Sequence, residues 1–249
     1  ICLVGCGSIG RLHAKNLADK AELCFYSRTR ASAQAFSGEF GGGRVFDSYE
    51  EVLDSAVDAV LISTPPEAHR VQVIDAIEAG KGVLVEKPLC ATAEDLVAIG
   101  AVAAAHPDVL LMVAENYYYK PALKLIKWVL QQDLIGEVRQ ATIGKRFTQA
   151  SSGWKSGYGA LLEGGVHFVA FGADLFDGEL RRVSAEFPGA VAGEPERNSL
   201  VRVEYADGAE LLLRYAWNAF SLAQGTFQHS HIVGTAGQVI FESNGIYVR

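Results

Sequence analysis

The first half of the chain alternates short apolar runs with longer stretches in which apolar residues recur at helical spacing. The apolar runs predict strands at Ile1–Val4, Glu22–Tyr26, Arg44–Phe46, Ala59–Ile62, Gly82–Val85 and Val109–Val113. The stretches between them predict helices at Ser8–Ala18, Arg30–Phe36, Ser48–Asp54, Ala68–Ala79 and Ala93–Ala105. Several of the strands are continuous apolar runs, which is typical of parallel strands covered on both faces. This alternation with short connections predicts an α/β fold with a doubly wound parallel sheet.

The pattern changes after Tyr117. A stretch rich in glycine and serine runs from Ser151 to Gly165, between a predicted strand and an apolar helix. The predicted elements on either side are a helix at Pro121–Leu130, a strand at Glu137–Phe147 and a helix at Val166–Phe176. From Arg181 onward apolar and polar residues alternate, with Asp207-Gly208 as a hairpin signal and strand-like runs at 202–205, 210–215, 228–233, 238–241 and 245–248. We therefore predict two domains, 1–116 and 117–249, the second an α+β domain with a mostly antiparallel sheet.

Composition and charge limit the classes of partner. The 249 residues include 22 Lys and Arg against 29 Asp and Glu, a formal net charge of −7, and no basic cluster stands out. Nucleic acid and anionic membranes are therefore not expected as partners. No apolar run reaches the length of a transmembrane helix, and no signal-peptide pattern precedes the first strand.

The cysteines favour a reducing compartment. None of them forms a C-x-x-C pair, and all lie in the first part of the chain: Cys2, Cys6, Cys24 and Cys90. Reduced thiols that pack as small apolar residues fit this pattern better than disulfides or a zinc site, so we expect a cytoplasmic protein without a metal centre. Ile1 is not Met and already lies within a predicted strand. We therefore expect a portion of a longer chain, incomplete at its C-terminal end.

A glycine-rich loop links the first predicted strand to the first helix. Gly5, Gly7 and Gly10 have the spacing G-x-G-x-x-G, and Ser8 and Ile9 open the helix. Glycines at this spacing let the backbone turn tightly and approach a diphosphate, which the free N–H groups of the helix N-terminus can bind. The loop predicts a dinucleotide site; an ordinary strand-to-helix turn is the alternative.

Ser27 and Arg28 end the second predicted strand, about 20 residues after the glycine loop, where NAD-binding sheets usually carry Asp or Glu to bind the ribose hydroxyl. A guanidinium can instead pair with the additional phosphate of NADP. Arg28 therefore favours NADP, with NAD as the second choice and a simple surface arginine as the alternative interpretation.

Glu86-Lys87-Pro88 directly follow the predicted strand Gly82–Val85. Ligands of an open α/β sheet bind beyond the carboxyl ends of its strands, so this tripeptide should face the cofactor crevice. Pro88 can support a cis peptide bond, and Lys87 could bind a substrate oxygen or assist proton transfer. A solvated loop lysine is the alternative.

Thr64-Pro65 follow the predicted strand Ala59–Ile62 and should reach the same crevice, on the nicotinamide side. His69 opens the next predicted helix. Its position is as consistent with a structural role as with ligand binding.

Glu163 and His167 are four residues apart at the start of the apolar helix predicted at Val166–Phe176, so we expect them on one face. A carboxylate can hold an imidazole in one tautomer and raise its basicity, which suits acid–base catalysis near neutral pH. The alternative is a carboxylate favoured by the helix dipole with a histidine packed beside it.

Taken together, these segments resemble the Gfo/Idh/MocA oxidoreductases. The resemblance rests on the glycine loop with His13, on Ser63-Thr64-Pro65-Pro66 with His69, and on Ala79-Gly80-Lys81 followed by Glu86-Lys87-Pro88. It extends to Glu115-Asn116, Ile135-Gly136-Glu137-Val138, Gly164 with His167 and Gly234-Thr235-Ala236-Gly237. The motifs occur in the expected order over nearly the whole chain.

The resemblance implies a Rossmann domain followed by an α+β domain with an open, mainly antiparallel sheet that often makes oligomer contacts. It implies NAD(P)-dependent oxidation or reduction of a sugar, inositol or related polyol. Lys87, His167 and Glu163 take the catalytic positions, and Asn116 joins the cofactor-binding set with Glu86, Lys87 and His69. The family usually has Asp where this chain has Glu163, and an acidic residue at the position of Ala170.

We therefore expect an NADP-preferring dehydrogenase of a sugar or polyol, acting as a homo-oligomer. His167 would exchange a proton with the substrate oxygen, and Lys87 would stabilise charge on that oxygen. One alternative is a regulator of the same fold that senses the cofactor without turnover. A second is an enzyme that uses transient oxidation by bound NAD to cleave glycosides.

Overall fold

The computed structural model describes residues 1–150 and 156–249. It divides the chain into two compact units, Ile1–Ala114 and Glu115–Arg249. The first part of the predicted glycine- and serine-rich stretch, residues 151–155, lies outside the described residues.

The first unit is built on a five-stranded sheet in the order β2-β1-β3-β4-β5, with every neighbouring pair parallel. The strands are β1 (Cys2–Val4), β2 (Cys24–Tyr26), β3 (Ala59–Ile62), β4 (Gly82–Val85) and β5 (Leu111–Val113). The helices are α1 (Ser8–Leu17), α2 (Arg30–Glu39), α3 (Tyr49–Leu53), α4 (His69–Glu78) and α5 (Ala93–Ala105). The strand order reverses direction between β1 and β3, and open α/β sheets bind ligands at such a switch point.

Side chains from this sheet fill a core on both faces. In β3, Val60 and Ile62 pack into one buried cluster, together with Ile77 of α4, whereas Leu61 packs into another. The second cluster also contains Phe36 of α2. Because successive strand residues point to opposite faces, a sheet covered on both sides needs continuous apolar strands. This confirms the doubly wound parallel sheet predicted from the apolar runs.

The strand predicted at Arg44–Phe46 is wrong. This segment forms a single parallel bridge, between Val45 and Phe25 of β2. It is limited on its N-terminal side by Gly41 and Gly42, whose φ angles of 98° and 76° turn the chain. On its C-terminal side Ser48 already caps α3, so the segment is too short for a ladder of hydrogen bonds.

Two helices of this unit, α3 and α5, begin at a residue whose side chain caps them. The Ser48 hydroxyl accepts a hydrogen bond from Glu51 N–H, and the Thr92 hydroxyl accepts one from Asp95 N–H at the start of α5. The helix predicted at Ala68–Ala79 instead begins with a 3₁₀ turn, Pro66–Ala68, before α4. Proline is tolerated at the first position of a helix because it lacks only an N–H that would be unsatisfied there.

The second unit contains a six-stranded sheet in the order β11-β10-β6-β9-β8-β7. Its neighbours are antiparallel except β6 and β9, which are parallel. The strands are β6 (Val138–Arg146), β7 (Leu180–Glu186), β8 (Asn198–Tyr205), β9 (Glu210–Ala216), β10 (His229–Gly234) and β11 (Gln238–Glu242). The helices are α6 (Pro121–Gln131) and α7 (Val166–Ala173). The strand-like run at 245–248 forms only a bridge between Val248 and Phe241.

One face of this sheet, which we call the inner face, packs against α7. In β9, Leu211, Leu213 and Tyr215 are buried on it together with Phe171 of α7. The intervening Arg214 is exposed on the outer face. This period of two is the alternation predicted for a sheet with one buried side.

Among the described residues, no helix is both long enough and apolar enough to span a membrane. The same part of the chain contains no group of three or more His, Cys, Asp or Glu side chains arranged to hold a metal ion.

Candidate functional site

The three glycines after β1 meet different steric demands. Gly5 has φ of 102°, and a Cβ there would lie 2.9 Å from the carbonyl carbon of Ser63. A Cβ on Gly10 would lie 2.3 Å from the Gly5 carbonyl oxygen. A Cβ on Gly7 would meet nothing within 4 Å. Gly5 and Gly10 are therefore required by the turn and its packing on β3, whereas Gly7 leaves open space beside the start of α1.

That open space lies at a helix N-terminus suited to an anion. The N-cap of α1 is Gly7, which has no side chain to bond the first N–H groups, and the first turn carries no acidic residue. Ser8 and Ile9 are exposed there. Unsatisfied N–H groups and the positive end of the helix dipole bind phosphate. The loop therefore fits a dinucleotide diphosphate, both in shape and in charge.

His69 is a brace rather than an exposed ligand. Its side chain is fully buried, and its Nδ1 and Nε2 atoms lie 2.9 Å and 2.8 Å from the carbonyl oxygens of Pro88 and Thr64. The imidazole thus joins the turn after β3 to the turn after β4. With both ring nitrogens occupied, direct cofactor contact through the His69 ring, as included in our predicted set, is not supported by this geometry.

The turn after β4 is joined to α1 by a second histidine. Nε2 of His13, on α1, lies 2.7 Å from Oε1 of Glu86. The other carboxylate oxygen of Glu86 accepts a hydrogen bond of 3.2 Å from the backbone N–H of Lys87. The Lys87–Pro88 peptide bond is cis, as the proline allowed. Glu86 thus connects the backbone of Lys87 to the helix that starts at the glycine loop.

Arg28 and Arg30 differ in whether an acidic side chain pairs with them. Arg30 forms an ion pair with Asp47. Arg28 is exposed just before α2 and has no acidic partner within residues 1–150 and 156–249, and Ser27 precedes it at the end of β2. Arg28 is therefore the guanidinium of the two that is available to an anionic ligand.

In the second unit, His167 is held by a carboxylate from a distant part of the chain. Its Nδ1 lies 2.6 Å and 2.8 Å from the two carboxylate oxygens of Glu115, which is only 7% exposed. Oε1 of Glu115 also accepts a hydrogen bond from Tyr117 N–H. The hydrogen-bond network assigns the proton of a neutral imidazole to Nδ1, so Nε2 keeps its lone pair.

Tyr117 fixes the plane of the same imidazole. The two rings stack with their centroids 4.7 Å apart and an interplanar angle of 10°. The Lys120 ammonium lies 3.4 Å from the Tyr117 ring centroid, and stacked rings leave no room for it between them, so it occupies the opposite face. Burial lowers the pKa of Lys120 to about 8, with the charge of Lys145 adding to the decrease and Glu242 opposing it.

The placement of Glu163 differs from the prediction. It lies in a π-helical turn, Leu161–Gly165, that precedes α7, so the α-helical spacing that put it on one face with His167 does not apply. The carboxylate that contacts Nδ1 of His167 is Glu115. Glu163 is 4% exposed and lies near Tyr215. Burial raises the pKa of Tyr215 to about 12, a hydrogen bond from Trp217 opposes the increase, and the Glu163 charge adds to it.

Two glycines of the π-helical turn are closely packed. A Cβ on Gly164 would lie 2.3 Å from the Tyr215 hydroxyl oxygen, and one on Gly165 would lie 2.9 Å from Leu161 Cδ1. These glycines let the turn approach β9 closely. Asn116, the remaining predicted cofactor-binding residue, is exposed at the start of the 3₁₀ turn Asn116–Tyr119.

Comparison with known proteins assigns both units to one family. The family described as "Oxidoreductase family, NAD-binding Rossmann fold" matches residues 1–115, and the "GFO/IDH/MocA C-terminal domain" matches residues 123–240. The chain belongs to the Gfo/Idh/MocA oxidoreductases. The predicted family, its fold class and its oxidoreductase class are confirmed.

Named relatives act on different hydroxyl compounds. An inositol 2-dehydrogenase of Acidothermus cellulolyticus is 28% identical over 261 residues, covering 100% of this chain and 74% of the relative. A trans-1,2-dihydrobenzene-1,2-diol dehydrogenase of Oryctolagus cuniculus is 30% identical over 198 residues, covering 76% of this chain and 56% of the relative. The chain thus spans little more than half of the second relative's length.

A solved structure shows the same fold with a nicotinamide cofactor bound. The WlbA dehydrogenase from Chromobacterium violaceum, in complex with NADH and UDP-GlcNAcA, has a TM-score of 0.86 and 25% identity, covering 97% of this chain and 73% of that one. An NAD-binding Rossmann fold is therefore established for the first unit.

We predict that two substitutions in the glycine loop affect different properties, stability in one case and dinucleotide binding in the other. Gly10→Ala should destabilise the chain by about 2 kcal/mol or more, because its Cβ would overlap the Gly5 carbonyl. Gly7→Ala should change the free energy of unfolding by less than about 1 kcal/mol but weaken dinucleotide binding. Urea unfolding and cofactor titration measure the two effects. Equal destabilisation by both substitutions would contradict the assignment.

His69→Ala should lower the free energy of unfolding by about 2–4 kcal/mol, because it leaves a buried cavity and removes the N–H donor that the imidazole offers to the carbonyl oxygens beside it. His229→Ala, at an exposed position on β10, is the matched control and should cost much less. Chemical unfolding of the two variants gives the comparison. Similar values for both would show that His69 is not a brace.

Proposed function

We propose that this chain is part of an NADP-preferring dehydrogenase that transfers a hydride between the cofactor and a hydroxyl or ketone of a sugar, inositol or related polyol. The proposal rests on the Glu115–His167 pair, which holds Nδ1 of the imidazole and leaves Nε2 with its lone pair. Such an imidazole can take a proton from an alcohol and return it to a ketone.

The cofactor-binding residues follow from the first unit. The N-terminus of α1, from Gly7 to Ile9, would hold the diphosphate, and Arg28 the additional phosphate of NADP. The turns at Thr64-Pro65 and Glu86-Lys87 would lie along the nicotinamide, with Asn116 as a further contact. The dinucleotide, when bound, would supply the carbon that takes or gives the hydride.

The proton has a defined route in this proposal. During oxidation Nε2 of His167 takes the hydroxyl proton as the carbon loses its hydride, and during reduction it gives the proton back. The Glu115 carboxylate stabilises the imidazolium that forms, because it accepts the Nδ1 proton and carries the opposite charge. Lys87 would donate a hydrogen bond to the same substrate oxygen and stabilise developing negative charge. Glu163 would orient a neighbouring hydroxyl.

We also propose a cytoplasmic homo-oligomer. Free thiols at all cysteines support the reducing compartment. The sheet of the second unit supports the oligomer, since Val183, Leu200 and Val233 lie exposed on its strands.

Cofactor preference should depend on Arg28. Arg28→Ala should weaken NADP(H) binding by about 1.5–3 kcal/mol, the typical value of a charged hydrogen bond, and leave NAD(H) binding nearly unchanged. Arg30→Ala is the control, because Arg30 is already paired with Asp47. Fluorescence titration with NADPH and NADH measures both affinities. Tighter NADH binding by the unmodified protein, or equal loss for both cofactors, would exclude NADP preference.

Lys87 and His167 should act together on the substrate. Lys87→Ala and His167→Ala should each lower kcat by about 10²–10⁴ while cofactor affinity stays nearly intact. The double variant should be little worse than the poorer single variant, since groups that act on one oxygen are not additive. Steady-state rates on a panel of sugars and inositols with both cofactors provide the measurement.

Two further measurements test the assignment. Glu163→Asp, which introduces the residue usual in the family, should lower activity or shift substrate preference if Glu163 fits this enzyme's own substrate. A protein that turns over no polyol, yet binds NADP and one sugar tightly, would instead be the cofactor-sensing regulator.

A further inference from the structure

One guanidinium in the second unit has an unsatisfied nitrogen. Nη1 of Arg197 is buried and has no hydrogen-bond partner in the part of the chain that the structure describes. Other arginines, such as Arg139 and Arg202, pair with acidic side chains. A buried polar atom without a partner costs about 1–3 kcal/mol, and more when it is charged, so such atoms are rare in folded proteins. A hydrogen-bond acceptor beside Nη1 of Arg197 would remove this cost.

The strand register places Arg197 on the inner face of the sheet. It immediately precedes β8, and its carbonyl oxygen accepts a hydrogen bond of 2.8 Å from Trp217 N–H, so the two residues lie opposite each other. Two residues further on, Ser199 is buried on the same face. The guanidinium carbon lies 5.7 Å from the Trp217 ring centroid, which fixes the head group beside that indole.

A short series of contacts leads from this indole to Glu163. Trp217 Nε1–H donates to the Tyr215 hydroxyl at 3.4 Å. Tyr215 in turn packs against Gly164, the neighbour of Glu163. Arg197 is thus separated from the proposed substrate-orienting carboxylate by two aromatic side chains. It stands on the face of the sheet that carries the π-helical turn and α7.

A second cation lies on the same face. Lys145, on β6, has its ammonium 4.6 Å from the Phe147 ring centroid, and burial lowers its pKa. The Phe147 ring is 6.0 Å from that of Tyr215. The negative charge of Glu242 opposes this decrease in the pKa of Lys145. The Glu242 carboxylate already accepts hydrogen bonds from the backbone N–H groups of Phe227 and Asn244. The inner face therefore has cationic side chains on both sides of Tyr215.

We propose that Arg197 recognises an anionic group on the substrate, a carboxylate or a phosphate, so that the substrate is an acidic sugar derivative rather than a neutral polyol. The inference rests on the proposed function and specifies its substrate class. A planar guanidinium pairs with either group through parallel N–H bonds, which would satisfy the orphaned nitrogen. Lys145 would add charge without the same directionality.

The test compares matched ligands on four proteins. Glucose, glucuronate and a phosphate ester of glucose differ mainly in the anionic group, and titration calorimetry with cofactor present measures their affinities. The proteins are the unmodified chain, Arg197→Gln, Arg197→Lys and Arg202→Gln. The last is the control, because Arg202 lies on β8, which follows Arg197 directly, but on the outer face, paired with Glu210.

We expect the unmodified protein to bind at least one acid about tenfold or more tightly than glucose, as a charged hydrogen bond predicts. Arg197→Gln should abolish that preference, Arg197→Lys should retain part of it, and Arg202→Gln should retain all of it. Which acid binds more tightly distinguishes carboxylate from phosphate. Thermal unfolding shows whether Arg197→Gln is folded. If it is not, the acid preference of Arg197→Lys is used in its place.

Binding of glucose as tight as that of both acids would overturn the inference, as would an acid preference that survives in folded Arg197→Gln. Turnover of the same ligands is measured separately from their binding, so that the role of Arg197 and the proposed function are tested independently. Oxidation of neutral sugars without acid preference would leave the proposed function standing and remove the role of Arg197. Acid binding through Arg197 without any turnover would remove the proposed function and leave the anion site.

Discussion

The contact between the Glu115 carboxylate and Nδ1 of His167 is the interaction on which the proposed chemistry depends. A carboxylate that is almost completely withdrawn from water would be costly without compensation. Here it accepts the Nδ1 proton and the Tyr117 N–H, while the Tyr117 ring lies flat against the imidazole. The pair thus determines the tautomer, the plane and the charge balance of the only imidazole that the α7 sequence provides. It also leaves Nε2 as the reactive nitrogen.

In the first unit, hydrogen bonds of buried or half-buried side chains likewise hold the loops in place. His13 and His69 each join two chain segments near the carboxyl ends of the strands, one through Glu86 and the other through the carbonyls of Thr64 and Pro88. A loop at this edge must stay open to a ligand, so it cannot be held by a covering layer of apolar side chains. Directional hydrogen bonds from neighbouring helices fix it instead.

Sequence patterns predicted the regular part of the fold well. The observed limits of β3, β4 and α5 agree with the predicted ones to the residue, because turn residues and caps bound them locally. The segment Arg44–Phe46 failed because pairing depends on neighbours that a local apolar pattern does not contain. The parallel contact of β6 with β9 inside a mainly antiparallel sheet likewise depends on topology.

Sequence motifs name candidate site residues, but they do not give the contacts that those residues make. His167, Lys87 and the glycine loop follow from motifs whose spacing has a physical reason. The partner of His167 does not, since Glu115 is 52 residues away and the nearer Glu163 satisfied the helical spacing. The π-helical turn, in which Gly164 packs against Tyr215, changes that spacing. Glycines were the available signal, but they indicate close packing without naming what is packed.

The tautomer of His167 decides whether Nε2 can accept the substrate proton. Nitrogen NMR on the selectively labelled chain distinguishes a protonated from an unprotonated ring nitrogen in the neutral imidazole. We expect a proton on Nδ1 and a free lone pair on Nε2, with Glu115→Gln altering the Nδ1 signal. A neutral His167 with its proton on Nε2 would contradict this expectation, because Nδ1 would then face a carboxylate without a proton to share.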